Sequence, residues 1–156
     1  MKTVFYSVAA IALILNFGAT SEVQAIEEGL YWGGGSRYIT ISRKVTKQFG
    51  ERHCYSGFSA NGAMIASLNL KIPRYQTGID YEVYTLDGVK NNLAIQQYAA
   101  KRDQIVFGAL VGRFVRDGAV YTREANADKA RSPELKECLN SNRPYFKQIS
   151  SGRDRR

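Results

Sequence analysis

Short runs of alternating or β-branched residues dominate the chain after residue 28, and Gly, Pro, Asn-Gly or Asp-Gly separates one run from the next. Such alternation is typical of half-buried strands, and such residues are typical of the turns that end them. The pattern therefore predicts a mostly β domain, a small antiparallel barrel or sandwich of seven or eight strands. The predicted strands are 29–32, 37–46, 52–59, 63–72, 80–86, 93–98, 104–116 and 119–123, the seventh with a break at Gly108 or Gly112.

The first 25 residues have the features of an export signal. Lys2 gives a positive start, and residues 8–17 form a nearly unbroken apolar run. Val23-Gln24-Ala25 offers the small residues that a signal peptidase reads, so cleavage is predicted after Ala25. A membrane anchor is the alternative, but it needs about 18 to 20 apolar residues, and this run is shorter. We expect an exported protein, periplasmic or extracellular, with no transmembrane segment in the mature chain.

The mature chain has the length of one ordinary domain. We expect this domain to span residues 26–149. The remaining residues, 150–156, carry three arginines and little apolar surface, so they are predicted to form a disordered basic tail.

If the chain is exported to an oxidising compartment, its two cysteines are candidates for a disulfide bond. An even number of cysteines in an oxidising compartment is most simply explained by a bridge, here between Cys54 and Cys138. A reactive thiol pair is the alternative, but it favours a C-x-x-C spacing, which these residues lack. The predicted bridge links the third strand to the C-terminal part of the chain.

A short helix is predicted for residues 133–140. Ser132 is a good N-cap, and the proline that follows it fits the first helical turn. Three residues of this stretch are spaced so that they share one helical face: Leu135, Cys138 and Leu139. We expect that face to pack on the outer surface of the sheet near Phe58 and Ile65, where the disulfide pins it.

The first hairpin can be predicted in register. If Asn61-Gly62 forms a two-residue turn, paired residue numbers sum to 123, and Cys54 lies opposite Asn69. The apolar residues of 64–72 then share the core face with His53, and Cys54 points outward.

Two further hairpins are predicted from Asp-Gly dipeptides. Asp117-Gly118 as a tight turn pairs Phe114 with Tyr121, a favourable aromatic contact. Asp87-Gly88 as a two-residue turn would place Glu82 on an apolar face, so we expect a three- or five-residue loop there.

The sequence contains few groups for metal or acid–base chemistry. With one histidine and two cysteines, a zinc site would need carboxylates as ligands, so neither a metal centre nor a cofactor is predicted. His53 is the one imidazole available as a general base; the alternative is a half-buried histidine that is bonded to a neighbour. Asp80 and Glu82 share one strand face, which we expect to be solvated and paired with Arg or Lys.

The stretch from Tyr31 to Gly35, Tyr-Trp-Gly-Gly-Gly, is the most unusual one in the chain. It lacks the lysine and the spacing of phosphate-binding glycine loops. Tyr31 and Trp32 are candidate binding residues, as an exposed stacking platform for a sugar or a base. The alternative is a flexible loop whose tryptophan plugs one end of the barrel.

The chain is strongly basic, with 22 Lys and Arg against 14 Asp and Glu and a net charge of +8. Candidate contacts for an anionic partner are Arg43 and Lys44 between two strands, and Arg113 and Arg116 near the Asp117 hairpin. Outside the cytoplasm such a partner is an acidic protein, a polysaccharide or a lipid surface, with no specific nucleic acid expected. The alternative is that the spread charge only keeps the protein soluble.

We predict an exported, non-catalytic binding module for an acidic partner or surface, or for a small amphipathic ligand inside a tyrosine-lined barrel. One alternative is a structural or assembly partner that acts through a protein interface. Another is a small secreted hydrolase or nuclease that uses His53. A barrel interior filled by side chains favours the interface, and an open one favours the small ligand.

Overall fold

The computed structural model describes residues 25–59, 62–73, 80–125 and 133–149 of the chain. The predicted export signal, apart from Ala25, and the predicted tail at 150–156 lie outside these residues. The described elements, in chain order, are β1 (Gly29–Trp32), β2 (Tyr38–Thr46), β3 (Gly50–Ser59), β4 (Gly62–Ile72), β5 (Tyr81–Leu86), β6 (Leu93–Tyr98), β7 (Gln104–Val111), β8 (Phe114–Ala125), α1 (Pro133–Asn140) and β9 (Phe146–Ile149).

The strands close into an antiparallel barrel. The order around the sheet is β3-β2-β1-β8-β7-β6-β5-β4, and pairing between β3 and β4 joins its two ends. β9 is an additional strand that pairs with residues 63–66 of β4, and β5 pairs with β4 from residue 68 onward. The predicted fold class is confirmed as a barrel with a C-terminal helix, and β9 is a strand that the sequence pattern did not predict.

Side chains fill the inside of this barrel. Each of the eight barrel strands contributes at least one buried residue, and the largest are tyrosines. The members of this core are Ile26, Tyr31, Ile39, Ile41, Tyr55, Met64, Ala66, Leu68, Tyr84, Leu86, Ile95, Ile105 and Tyr121. The Tyr55 hydroxyl donates to the backbone oxygen of Phe58 at 3.1 Å, so it is satisfied within the protein. The interior is a packed core.

Helix α1 covers the outer surface of β3 and β4, and the disulfide holds it there. The predicted bridge is confirmed, with 6.2 Å between the Cα atoms of the two cysteines. The covered layer is a second cluster of buried residues: Cys54, Ile65, Leu135, Cys138 and Leu139. Phe58, which we expected beneath the helix, is exposed instead.

The β3–β4 register differs by two residues from the predicted one. Gly62 begins β4 and pairs with Ser59, so it does not lie in the turn. Cys54 therefore lies opposite Ser67 and not opposite Asn69. A shift of two residues keeps the side chains that pair between β3 and β4 on their predicted faces, so the disulfide forms as predicted although the pairing was wrong. Ile72, which we expected on the core face, lies on the outer side instead, because the register shifts between Leu70 and Ile72.

The turn predicted at Asp117-Gly118 is wrong. The chain turns at residues 112–113, where Phe114 pairs with Val111 and not with Tyr121. Asp117 has a φ of 51° inside β8, next to a shift in register between β7 and β8. The dipeptide thus makes a β-bulge, which needs a positive φ as a tight turn does.

The bulge bends the end of the β7–β8 hairpin over the outside of β5 and β6. A Cβ atom on Gly108 would lie 2.7 Å from the Cα atom of Gly118, so the two strands need glycine here. The Tyr81 hydroxyl donates to the backbone oxygen of Arg113 at 3.0 Å. A third apolar cluster fills the space beneath the hairpin: Ile72, Tyr81, Val83 and Ala94, with Leu110 and Val115 packed against them.

The loop between β5 and β6 consists of residues 87–92, longer than either predicted length. Tyr84 pairs with Ile95 in the resulting register. Glu82 shares the inner face with Tyr84 and is fully buried, so the expected solvated position is wrong for this residue. Its Oε1 atom lies 3.4 Å from Nη1 of Arg102, an ion pair that offsets part of the cost of burying the carboxylate.

Replacing both cysteines by alanine should lower the free energy of unfolding by about 4 to 5 kcal/mol, because the bridge closes a loop of 84 residues in the unfolded chain. Urea unfolding of the wild type and of the Cys54→Ala/Cys138→Ala variant measures this loss. Reduced wild-type protein is the control and should lose a similar amount. A loss below about 1 kcal/mol in both would contradict the stabilising role of the bridge.

Candidate functional site

An apolar groove of about 270 Å³ opens on the outside of the barrel, over β6, β7 and β8. Its lining residues are Tyr98, Ala100, Lys101, Gln104, Val106 and Val120. Val106 and Val120 lie opposite each other on neighbouring strands. Their sequence neighbours Ile105 and Tyr121 point into the core. β7 and β8 are therefore apolar on both faces here, and the outer face is open to solvent.

Aromatic rings extend this surface on both sides of the groove. On one side, the ring of Tyr98 lies 5.8 Å from that of Tyr81, which lies 5.4 Å from the ring of Phe114. On the other side, Trp32 of β1 pairs with Thr122 of β8 and is 40% exposed. We call Trp32, Tyr98, Val106, Phe114 and Val120 the outer aromatic face.

Charged residues surround the outer aromatic face. Lys101 is the charged residue among those that line the groove. The exposed basic residues on the surrounding elements are Arg37, Lys101, Arg113 and Arg116, and the exposed acidic ones are Asp103, Asp117 and Glu124. The groove thus offers an apolar floor with a cation at its rim, which suits an apolar group that carries a carboxylate nearby.

Of the two aromatic residues predicted to form a stacking platform, the structure exposes one. Tyr31 is fully buried in the barrel, and its hydroxyl donates to the backbone oxygen of Glu27 at 2.7 Å. Burial raises the pKa of Tyr31 to about 12. Trp32 does not plug the barrel: it lies on the outer surface, where its Nε1 donates to the backbone oxygen of Gly35 at 3.0 Å.

The predicted basic contacts Arg43 and Lys44 lie near the end of β2, next to α1. The guanidinium of Arg43 pairs with Glu51, and the ammonium of Lys44 bonds to Asn140 at the end of α1. Arg52 Nε donates to the backbone oxygen of Cys138 at 2.7 Å. Positive charges near the C-terminal end of a helix stabilise it, because that end carries a partial negative charge. Lys44 and Arg52 therefore have a structural role here.

Arg113 and Arg116 lie on the bent β7–β8 hairpin, so the structure does not bring them together with Arg43 and Lys44.

The groove residues on β6 to β8 were not predicted from the sequence. A usable signal was present, because residues 105–107 and 119–121 are apolar without alternation. Such a run predicts a strand that is apolar on both faces.

His53 is buried in the barrel, with 6% of its surface exposed and its ring 5.7 Å from that of Tyr84. Burial, and secondarily the charge of Arg43, lowers the pKa of His53 to about 4, while a bond to the backbone of Ile26 opposes the shift. Its Nε2 lies 3.4 Å from Oε1 of Glu51. A general base must reach its substrate, and this imidazole packs among core side chains.

No protein-family model matches the chain, and the searches of curated proteins and of solved structures found no significant match either. Within the described residues, no helix has the length and hydrophobicity that crossing a bilayer requires. In the same part of the chain, no three His, Cys, Asp or Glu residues are grouped so that they could hold a metal ion.

The lowered pKa of His53 predicts a loss of stability in mild acid. As the pH falls below about 6.5, the unfolded chain takes up a proton that folded His53 resists until about pH 4. Between about pH 7.5 and about pH 5 this difference lowers the free energy of unfolding by roughly 2 kcal/mol. Urea unfolding of the wild type and of His53→Gln at both pH values measures it.

The His53→Gln variant should lack this part of the pH dependence, since glutamine does not titrate. The remaining slope, due to the carboxylates, is common to both proteins and cancels in the comparison. Equal slopes for the two proteins would contradict the burial of a neutral imidazole.

Proposed function

We propose that this chain is an exported, non-catalytic binding module that holds an acidic protein partner on its outer aromatic face. The observation that carries the proposal is the open apolar groove on the outside of a barrel whose inside is filled. In the proposed complex an apolar side chain of the partner enters the groove between Tyr98 and Val120. A neighbouring carboxylate then reaches the Lys101 ammonium at the rim.

The filled interior supports a partner on the surface over a small ligand inside. A ligand-binding barrel needs an internal cavity with a few polar groups that fix the ligand. Here the tyrosine hydroxyls that such a cavity would use are bonded within the protein, as in the contacts of Tyr31 with Glu27 and of Tyr55 with Phe58. Our expectation of a small amphipathic ligand in the barrel therefore has less support than a surface partner.

The outer aromatic face has the composition of an interface. Val120 is 54% exposed, and Trp32, Tyr98 and Phe114 are exposed beside it. Single exposed apolar residues are common, but a group of neighbours rich in aromatic rings is typical of surfaces that bind another protein. Trp and Tyr also contribute strongly to binding energy when a partner covers them.

Charge favours an acidic partner. The chain carries a net charge of +8, which speeds the approach of an anionic protein at low ionic strength. Lys101 places one of these charges at the groove. A structural or assembly role through the same face is the second candidate, favoured by the exposed rings. It differs in that binding would depend little on salt.

Binding of a random copolymer of glutamate and tyrosine tests the proposal, because this probe combines carboxylates with apolar rings. The wild type should bind it, and Val120→Asp and Lys101→Glu should each weaken binding at least about tenfold, or about 1.4 kcal/mol. Added salt should weaken the remaining binding. Calorimetry measures the affinity, and the emission of Trp32, the one tryptophan of the chain, reports whether the outer aromatic face is involved.

Lys136→Glu is the matched control. It makes the same change in net charge at an exposed position of α1, away from β6 to β8. Its affinity should stay within about twofold of the wild type. If Lys101→Glu and Lys136→Glu weaken binding equally, or if polyglutamate without tyrosine binds as well as the copolymer, the groove is not the site and the proposal fails.

A further inference from the structure

The residues that precede β1 occupy one end of the barrel as a peptide would occupy a binding site. The Ile26 side chain is 1% exposed and belongs to the barrel core. Residues 25–28 have no regular secondary structure, so they are held by contacts with side chains of other elements. We call the residues that make these contacts the N-terminal socket: Tyr31, Tyr84, Gln97, Arg102 and Arg123.

The socket binds the backbone of three successive residues. The Arg102 guanidinium donates to the backbone oxygen of Ala25. The Ile26 N–H donates to the Tyr84 hydroxyl at 3.0 Å, and the Glu27 N–H donates to Gln97 Oε1 at 3.4 Å. The backbone oxygen of Glu27 accepts a hydrogen bond from the Tyr31 hydroxyl. Such bonding to main-chain groups is how many peptide-binding sites hold an extended ligand.

The socket also recognises side chains. The Glu27 carboxylate lies between two guanidinium groups, with Oε2 at 2.5 Å from Nη1 of Arg123 and Oε1 at 3.4 Å from Nε of Arg102. Gln97 is fully buried and oriented by a bond from its Nε2 to the backbone oxygen of Arg102 at 3.0 Å. An aliphatic residue followed by glutamate therefore meets a matching apolar site and a matching pair of cations.

The predicted cleavage after Ala25 would change how this socket is filled. Ile26 would become the end of the chain, so its segment would be tethered on one side only, through Gly29 of β1. Chain ends open more easily than internal segments do. Cleavage would also remove the Ala25 carbonyl and leave the Arg102 guanidinium without that acceptor.

We propose that the N-terminal socket is a second binding site, for acidic peptides in which an aliphatic residue precedes glutamate, and that residues 26–28 occupy it in the mature chain. A peptide with one more residue before the aliphatic one returns a carbonyl to Arg102, which the processed chain itself lacks. The peptide binds by displacing a tethered segment whose effective concentration is of millimolar order. This second site depends on the predicted cleavage and is independent of the outer aromatic face.

A peptide with the sequence of residues 25–29, acetyl-Ala-Ile-Glu-Glu-Gly-amide, is the probe. It is titrated by calorimetry into the mature wild-type chain and into Glu27→Lys, in which a cation between Arg102 and Arg123 unseats the tethered segment. Glu27→Lys should bind the peptide at least about tenfold more tightly than the wild type, because its own segment competes less. Addition of Arg123→Ala to Glu27→Lys should remove most of this gain.

Two controls test whether the peptide binds in the N-terminal socket. A peptide with glutamine at both glutamate positions should bind Glu27→Lys at least about tenfold more weakly, since it lacks the charge that the two arginines bind. Val120→Asp, on the outer aromatic face, should leave peptide binding unchanged, so the second site and the proposed function can fail separately. If Glu27→Lys does not fold, as judged by urea unfolding, Glu27→Gln replaces it.

Two results of the titrations would overturn the inference. One is a folded Glu27→Lys or Glu27→Gln chain that does not bind the peptide. The other is peptide binding that Arg123→Ala leaves unchanged. An exported chain whose mass shows that it begins after Ile26 would also overturn it, because residues 26–28 could not then occupy the socket together.

Discussion

The pairing of β3 with β4 closes the sheet, and the other features of the molecule depend on this closure. Because the sheet is closed, every second side chain along a strand points into a shared interior, where residues from eight strands form a single core. The closure also places Cys54 on the outer surface of the closing pair, where α1 covers it. A closed barrel has a defined inside and outside, so an extended apolar region on the outside is either covered by a second layer or available to a partner.

Two outer apolar regions of the described part of the chain are covered by other elements. Helix α1 covers Ile65 and the disulfide, and the bent β7–β8 hairpin covers Val83 and Ala94. The region around Val106 and Val120 has no such cover among the described elements, and a groove lies there. The uncovered region among the described residues therefore lies on β6, β7 and β8.

The strands and the helix could be predicted because both depend on local periodicity. Residues 29–32, 93–98 and 133–140 match their predicted bounds for this reason. The disulfide could be predicted because face alternation survives a two-residue error in register. The Asp117-Gly118 error has a different cause, since a positive φ at Asp117 serves a bulge as well as a turn. Local sequence does not distinguish the two.

The binding surfaces were harder to predict because they combine distant residues. Burial of Glu82 depends on Arg102, twenty positions later in the chain, which lies beside it only in the folded barrel. Val120 becomes part of a groove only because β8 lies next to β7 and Tyr98 extends the edge of the surface. Sequence periodicity identifies a strand that is apolar on both faces, but it does not show which of the two faces other elements leave uncovered.

The position of β9 has a consequence for how the chain acquires its structure. β9 is the last described strand, yet it pairs with β4 near the middle of the chain. The disulfide partner of Cys54 likewise lies 84 residues later in the sequence. If the chain is exported as we propose, its amino end emerges first, and residues 63–66 of β4 and the Cys54 thiol stay without their partners until β9 and α1 follow. Under that proposal, pairing of the open β4 edge with another emerging copy is the hazard that this order of strands creates.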